Sequence, residues 1–306
     1  MRHVLSAAYD SILTEHAMSQ AAPAEAATPP EEKVARIEAL AERLESPCGD
    51  GRMVWRRWGE GPPLVLLHGG YGSWIHWVRN VVPLSAHFSV YAADLPGLGD
   101  SDPPPDPRDP WSMGKIVAHG LQTVLPEGGF DLVGFSYGAV MAGHAAVHLG
   151  ERVRSFTLVG AGGLGLRRGQ MQELLAWRRD MPPERLAELH RRNLEILMLA
   201  DPSKVDDVAL WMQMRNTMRA VVKSRYISRA GTLRAVLPDL KARIAGIWGE
   251  LDATTHPYTQ ERIDLLRSVQ PDAPFRTIPG AGHWVQYEAP EEFNRTLLEI
   301  LDPGAR

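Results

Sequence analysis

The chain has 306 residues, 44% hydrophobic and 23% charged, enough apolar material for one large domain with an insertion or for two ordinary domains. A formal net charge of -4 supplies no basic stripe for a phosphate backbone, so nucleic acid is excluded as a partner and a small molecule is expected instead. Cys48 is the only cysteine, which rules out an intramolecular disulfide and any cysteine-built metal site; the expected compartment is the cytoplasm, with no cofactor and no metal.

Residues 1–30 read as a flexible extension. The opening MRHVLSAAYDSILTEHAM lacks the continuous apolar run of a secretion signal, and QAAPAEAATPP has no residue suited to a core. Residues 31–50 read as an N-terminal helix, because Val34, Ile37, Leu40 and Leu44 recur at helical spacing. From residue 51 to 164 short apolar runs alternate with helical patterns, the mark of βαβ units around a parallel sheet. PLVLLH at 63–68, VYAAD at 90–94, DLVGF at 131–135 and FTLV at 156–159 are the expected strands, joined after the interruption by IAGIW at 244–248 and FRTI at 275–278. Runs this short cannot cross a bilayer, so no membrane span is expected.

Residues 165–240 change character, with MQELLAWRRDMPPERLAELHRRNLEILMLA opening a stretch that reads as helical and contains no strand-like run. Ligands of open α/β sheets bind beyond the carboxyl ends of the strands, so an insertion at this point is expected to sit over the site as a lid. Residues 241–306 then complete the core. Nothing in the pattern fixes an oligomeric state.

The segment Gly134-Phe135-Ser136-Tyr137-Gly138 follows an apolar run and precedes a helical one. This strand, sharp turn and helix expose a serine hydroxyl, and the glycines leave room for neighbouring backbone. A serine needs a base, and the base needs an orienting acid. Asp252 follows the 244–248 strand and His283 follows the next one in Gly280-Ala281-Gly282-His283, in the chain order expected of a strand–turn–helix serine of this kind in an α/β sheet. Glu250 is the alternative acid. His256 lies too near Asp252 to be presented by a separate loop, and His144 and His148 have no third ligand to make a zinc site.

A tetrahedral intermediate requires backbone donors for its oxyanion. The N–H of Tyr137 is expected to be one, and His68-Gly69-Gly70-Tyr71-Gly72 supplies the other, Gly70 ahead of Gly69. His68 itself reads as structural. The glycine-rich turn lacks the lysine and spacing of a phosphate or dinucleotide cradle.

Together HGG at 68–70, DLPGLGDSD at 94–102, GFSYG at 134–138, GELD at 249–252 and GAGHWVQYE at 280–288 make a chain that resembles the α/β-hydrolase superfamily over about residues 53–300. The resemblance implies a mostly parallel, doubly wound sheet with a helical lid inserted after the sixth strand. Within the superfamily, GHWVQYE and Trp77-Val-Arg-Asn80 are similar to the carbon–carbon bond hydrolases that cleave ring-fission products, which implies a dienol-keto acid substrate. That subfamily carries Asn immediately before the nucleophile, where this chain has Phe135. It also places a lid arginine near the substrate, a role that falls here to Arg215 or Arg219. Tyr71, Phe135 and Trp284 are the remaining pocket candidates.

Hydrolysis of a carboxylic ester or related acyl substrate is the leading expectation, since it needs only the triad and the oxyanion donors. Carbon–carbon hydrolysis is second, and a non-catalytic receptor for a small ligand third. Dehalogenase and epoxide hydrolase chemistry is disfavoured by serine rather than aspartate at position 136.

Overall fold

An eight-stranded sheet organises residues 28–301, which the computed structural model describes; the expected extension falls, up to residue 27, outside the described residues. Helix α1 (Pro30–Glu38) leads into β1 (Glu42–Cys48) and β2 (Gly51–Trp58), an antiparallel hairpin at one sheet edge. This corrects the helix expected over 31–50. Only Val34 of α1 is buried, whereas strand pairing takes residues 42–48, with Ser46 opposite Met53 and Leu44 opposite Trp55. Cross-strand packing overrides the helical preference of AERLE, which lies at an exposed edge.

The remaining strands, β3 (Pro63–Leu67), β4 (Ser89–Ala93), β5 (Phe130–Phe135), β6 (Val153–Val159), β7 (Arg243–Gly249) and β8 (Phe275–Ile278), complete the order β1-β2-β4-β3-β5-β6-β7-β8. All pairings from β4 onward to β8 are parallel. Period-two alternation divides their side chains between two cores. Val65, Leu67, Leu132 and Leu158 pack on one face with helices α2 (Pro110–Val124) and α3 (Tyr137–Leu149); Leu64, Leu66, Val133 and Ile247 pack on the other with Trp58, Trp77 and Trp284. Because both faces are covered, these strands read as unbroken apolar runs.

The chain between β6 and β7 holds helices α4 (Pro183–Leu197), α5 (Asp207–Arg219), α6 (Arg225–Arg229) and α7 (Thr232–Val236). Residues 171–179, expected to be helical, instead run without regular secondary structure. The Leu175 N–H donates to Asn193 Oδ1 at 2.7 Å and Asn193 Nδ2 donates to the Leu175 carbonyl at 2.9 Å. This tertiary pairing satisfies the backbone that a helix would otherwise have satisfied, and α4 begins only where Pro183 can occupy its first turn. Helix α8 (Thr259–Val269) joins the first face through Leu266, and α9 (Val285–Glu288) and α10 (Pro290–Leu301) finish the second. No described helix is long and apolar enough to cross a membrane.

Candidate active site

Ser136 joins β5 to α3 in a conformation that side chains rarely adopt, with φ 52° and ψ -111°. The turn is enforced on both sides. A Cβ at Gly134 would stand 2.5 Å from Ala139 Cα, and one at Gly138 would collide with the carbonyls of Leu67 and His68. The Ser136 N–H donates to the Val159 carbonyl at 2.9 Å, tying the elbow to the end of β6. Strain of this kind is held where the surroundings over-determine it, and the effect is to lift the hydroxyl into a cavity.

The carboxyl ends of β7 and β8 bring the other two residues to the same place. His283 Nε2 lies 3.0 Å from Ser136 Oγ, and His283 Nδ1 lies 2.8 Å from Asp252 Oδ2. The second carboxylate oxygen of Asp252 accepts from the Thr254 N–H and the Thr254 hydroxyl, each at 2.8 Å. Burial alone pushes the Asp252 carboxyl up; His283 and the Thr254 donors outweigh it and hold the group below the usual carboxylate range. A carboxylate acceptor puts the His283 proton on Nδ1 and leaves Nε2 free to accept from the serine.

The loop that carries His283 is braced by Glu288, whose buried carboxylate accepts from the N–H groups of Gly282 at 2.6 Å, Ala200 at 3.1 Å and Asp201 at 2.7 Å. Thr254 and Glu288 were missed in the sequence. Their signal is spacing, two residues after the acid and five after the base. Glu250, the alternative acid, is exposed and accepts from the Gly280 N–H at 2.9 Å, away from His283. His256 is exposed, while His144 and His148 pack against Trp111 on α2. No cluster of three or more metal-binding side chains exists among the described residues.

Tyr137 is the first residue of α3, where the backbone N–H has no intrahelical acceptor. Of the two glycines proposed to face it, Gly69 is committed elsewhere, since its N–H donates to His76 Nδ1 at 3.2 Å. The Gly70 N–H has no acceptor among the described residues, and both glycines line the cavity. His68 is structural as expected: its Nδ1–H donates to the Gly69 carbonyl at 2.7 Å and its Nε2 accepts from the Leu95 N–H at 2.9 Å.

The cavity has a volume of about 590 Å³ and is lined by Ser136, His283, Phe135 and Tyr71 below and by the inserted segment above. Tyr71 and Phe135, two of the pocket candidates, both line this cavity. Trp284 does not. It is fully buried behind His283, where Nε1 donates to the His76 carbonyl at 3.0 Å and the ring stacks on Tyr287 at 4.0 Å. Arg215 and Arg219 are also displaced from the pocket, because Asp100 draws both guanidinium groups to 3.7 and 2.8 Å. The arginines that do line it are Arg168, Arg225 and Arg229. Arg79 of the Trp77–Asn80 segment has a bracing role, donating to the Tyr287 carbonyl at 2.8 Å and to Asp206 at 2.5 Å.

A model of the alpha/beta hydrolase family matches residues 64–296. The chain is similar to a 2-hydroxy-6-oxo-6-phenylhexa-2,4-dienoate hydrolase from Burkholderia cepacia, 28% identical over 260 residues that cover 80% of this chain and 90% of the relative. Among solved structures, a carboxylesterase from Bacillus subtilis superposes with a TM-score of 0.70 at 18% identity, covering 90% of this chain and 98% of the other. A meta-cleavage product hydrolase from Pseudomonas fluorescens gives 0.66 at 23% identity, over 84% and 96%. At these identities the superpositions establish a shared fold.

Proposed function

Because this chain belongs to the alpha/beta hydrolase family, we propose that it cleaves a carboxylic ester or related acyl substrate through nucleophilic catalysis at Ser136. One observation carries the reading: an unbroken hydrogen-bonded line from Ser136 Oγ through His283 to Asp252 opens into a cavity large enough for a small molecule.

Ser136 Oγ attacks the substrate carbonyl carbon as its proton passes to His283 Nε2. The carbonyl π electrons move to oxygen, and the resulting oxyanion faces the N–H groups of Tyr137 and Gly70. Collapse of this intermediate expels the alcohol, which takes the proton from Nε2, and leaves an acyl-serine. Water repeats the sequence, with His283 as base, and releases the acid. Asp252 keeps the proton of the imidazole on Nδ1 and offsets the positive charge of the imidazolium while it exists.

A second reading, carbon–carbon bond hydrolysis of a ring-fission dienoate, is favoured by the activity named for the Burkholderia cepacia relative. It asks for more than ester cleavage does, because a carbanion-like leaving group must be protonated at carbon. Phe135, beside the nucleophile, offers no hydrogen bond to help.

A fluorophosphonate probe is expected to label the folded protein and to fail after Ser136→Ala. Side-by-side turnover of a 4-nitrophenyl acyl ester and a coloured ring-fission product then ranks the two activities. Faster loss of the ring-fission product overturns the ester assignment, and absence of labelling overturns both.

A further inference from the structure

Ser224 stands at the entry to α6, a position where serine normally caps a helix by accepting from its first N–H groups. It does not cap. Its backbone is already helical, with φ -59° and ψ -20°, and its side chain makes no capping hydrogen bond. The hydroxyl has no hydrogen-bond partner among the described residues, although Ser224 is only 2% exposed and lines the cavity that holds Ser136. A hydroxyl that forgoes the local bond open to it and lies on a cavity wall is a free donor.

Gly70 sets where this hydroxyl sits. A Cβ built on Gly70 would overlap Ser224 Oγ and would lie 3.6 Å from Tyr137 Cβ. The oxygen therefore fills the space that a side chain at position 70 would take, beside the two residues assigned as oxyanion donors. Both flanks of Ser224 are tied to the core. The Val221 N–H donates to the Gly97 carbonyl at 3.1 Å, and a Cβ at Gly97 would collide with Val222. On the other side the Gly163 N–H donates to the Ser228 carbonyl at 2.7 Å, while the neighbouring Gly162 N–H donates to the Ser136 carbonyl at 3.1 Å. Two adjacent amides thus link α6 to the turn that carries the nucleophile. A donor held in this way meets developing charge without having to reorganise.

We infer that the Ser224 hydroxyl is a third oxyanion donor, contributed by the inserted segment. The inference rests on the hydrolase reading of Ser136. As the nucleophile adds and the carbonyl π electrons move to oxygen, the Ser224 O–H donates a hydrogen bond to that oxygen and keeps its proton. The hydroxyl hydrogen turns about the C–O bond, so it follows the oxygen as the carbonyl carbon becomes tetrahedral. The inserted segment is then part of the catalytic apparatus as well as its cover, because chemistry requires α6 to be seated against Gly70.

The test is Ser224→Ala in the full chain, with 4-nitrophenyl butyrate as substrate and, as a mimic of the tetrahedral adduct, the trifluoromethyl ketone bearing the same propyl chain. A hydroxyl that supplements two amides contributes less than an only donor, so kcat/KM is expected to fall about tenfold to a hundredfold. Affinity for the trifluoromethyl ketone is expected to fall by the same factor, and the rate of fluorophosphonate labelling with it. The urea midpoint is expected to hold or rise, since the hydroxyl has no partner to lose. Ser224→Cys refills the niche with a much weaker donor and is expected to stay near the alanine rate. A cysteine variant as fast as the wild type would show that the niche needs volume and no donor, which overturns the inference. So does a Ser224→Ala protein that keeps its kcat/KM, or one that loses kcat/KM while its affinity for the ketone is unchanged. Those outcomes leave the hydrolase reading intact. Failure of the wild type to label with fluorophosphonate removes that reading and the inference together.

Discussion

His76 accepts the amide hydrogen of Gly69 through Nδ1 at 3.2 Å, seven residues along the chain and on the opposite side of that glycine from His68. With the Gly69 carbonyl held by His68 Nδ1–H, both polar groups of Gly69 are fixed. The carbonyl of Gly69 and the N–H of Gly70 belong to one trans peptide and point in opposite directions. Clamping the first therefore aims the second into the cavity. Burial lowers the His76 imidazole well below its ordinary value, and the charges of His68 and His283 would lower it further, so it remains a neutral acceptor.

Replacing His76 with Phe keeps the ring volume and removes the acceptor. Loss of one oxyanion donor typically costs about a hundredfold or more in kcat, and loosening one costs less, so a fall of about tenfold to a hundredfold with KM within twofold is expected on a 4-nitrophenyl ester. A rise in KM at unchanged kcat would place His76 in substrate binding instead.

Asp252→Asn preserves shape at a fully buried site while removing the acceptor that holds the His283 proton on Nδ1. The wrong tautomer then faces Ser136. A loss of roughly ten-thousandfold in kcat is expected by analogy with other triads. Thr254→Val removes one of the two donors to Asp252 Oδ1 and keeps the other, so a smaller loss is expected. Steady-state kinetics showing Thr254→Val as damaging as Asp252→Asn would sink this ordering.

The core strands and the segments that bring Ser136, Asp252 and His283 together were legible because each is written in local sequence. Interior strands show as apolar runs, and Gly134-Phe135-Ser136-Tyr137-Gly138 demands one turn. The β1–β2 hairpin was not legible, since Glu42–Cys48 is a polar edge strand whose partner, not its composition, makes it extended. The pocket arginines were hidden for another reason. Arg215, Arg219, Arg225 and Arg229 look alike in sequence, and only the position of Asp100 decides which two are drawn away from the cavity.

Cys48 provides an independent check on the hairpin that sequence patterning missed. Its thiol is pushed up to about 11 from an ordinary 9.0, chiefly by burial and secondarily by the charge of Asp102. At pH 8 the reactive thiolate is then only on the order of one part in a thousand. A disulfide reagent such as dithionitrobenzoate is expected to release almost no chromophore from the folded protein and one equivalent in guanidinium. Rapid reaction of the folded form would show that the β1–β2 hairpin does not bury this thiol against the core.

Asp100 is the junction between the sheet edge and the inserted helices. Its carboxylate meets Arg56 at 2.5 Å, Arg219 at 2.8 Å and Arg215 at 3.7 Å. Burial pushes the carboxyl up, but these arginines outweigh it and hold the group below its ordinary 3.8. A folded-state value below the unfolded one means that the contribution is complete above about pH 5 and is lost as pH falls through 3.8 toward the folded value. Asp100→Asn is expected to destabilise the protein by about 1–3 kcal/mol at pH 7, the range for a charge-assisted bond to a group that is not fully buried. Urea titrations of both proteins should therefore differ at pH 7, and the difference should shrink as pH falls below 3.8. A constant difference across that window would mean that Asp100 acts through packing, with no dependence on its charge.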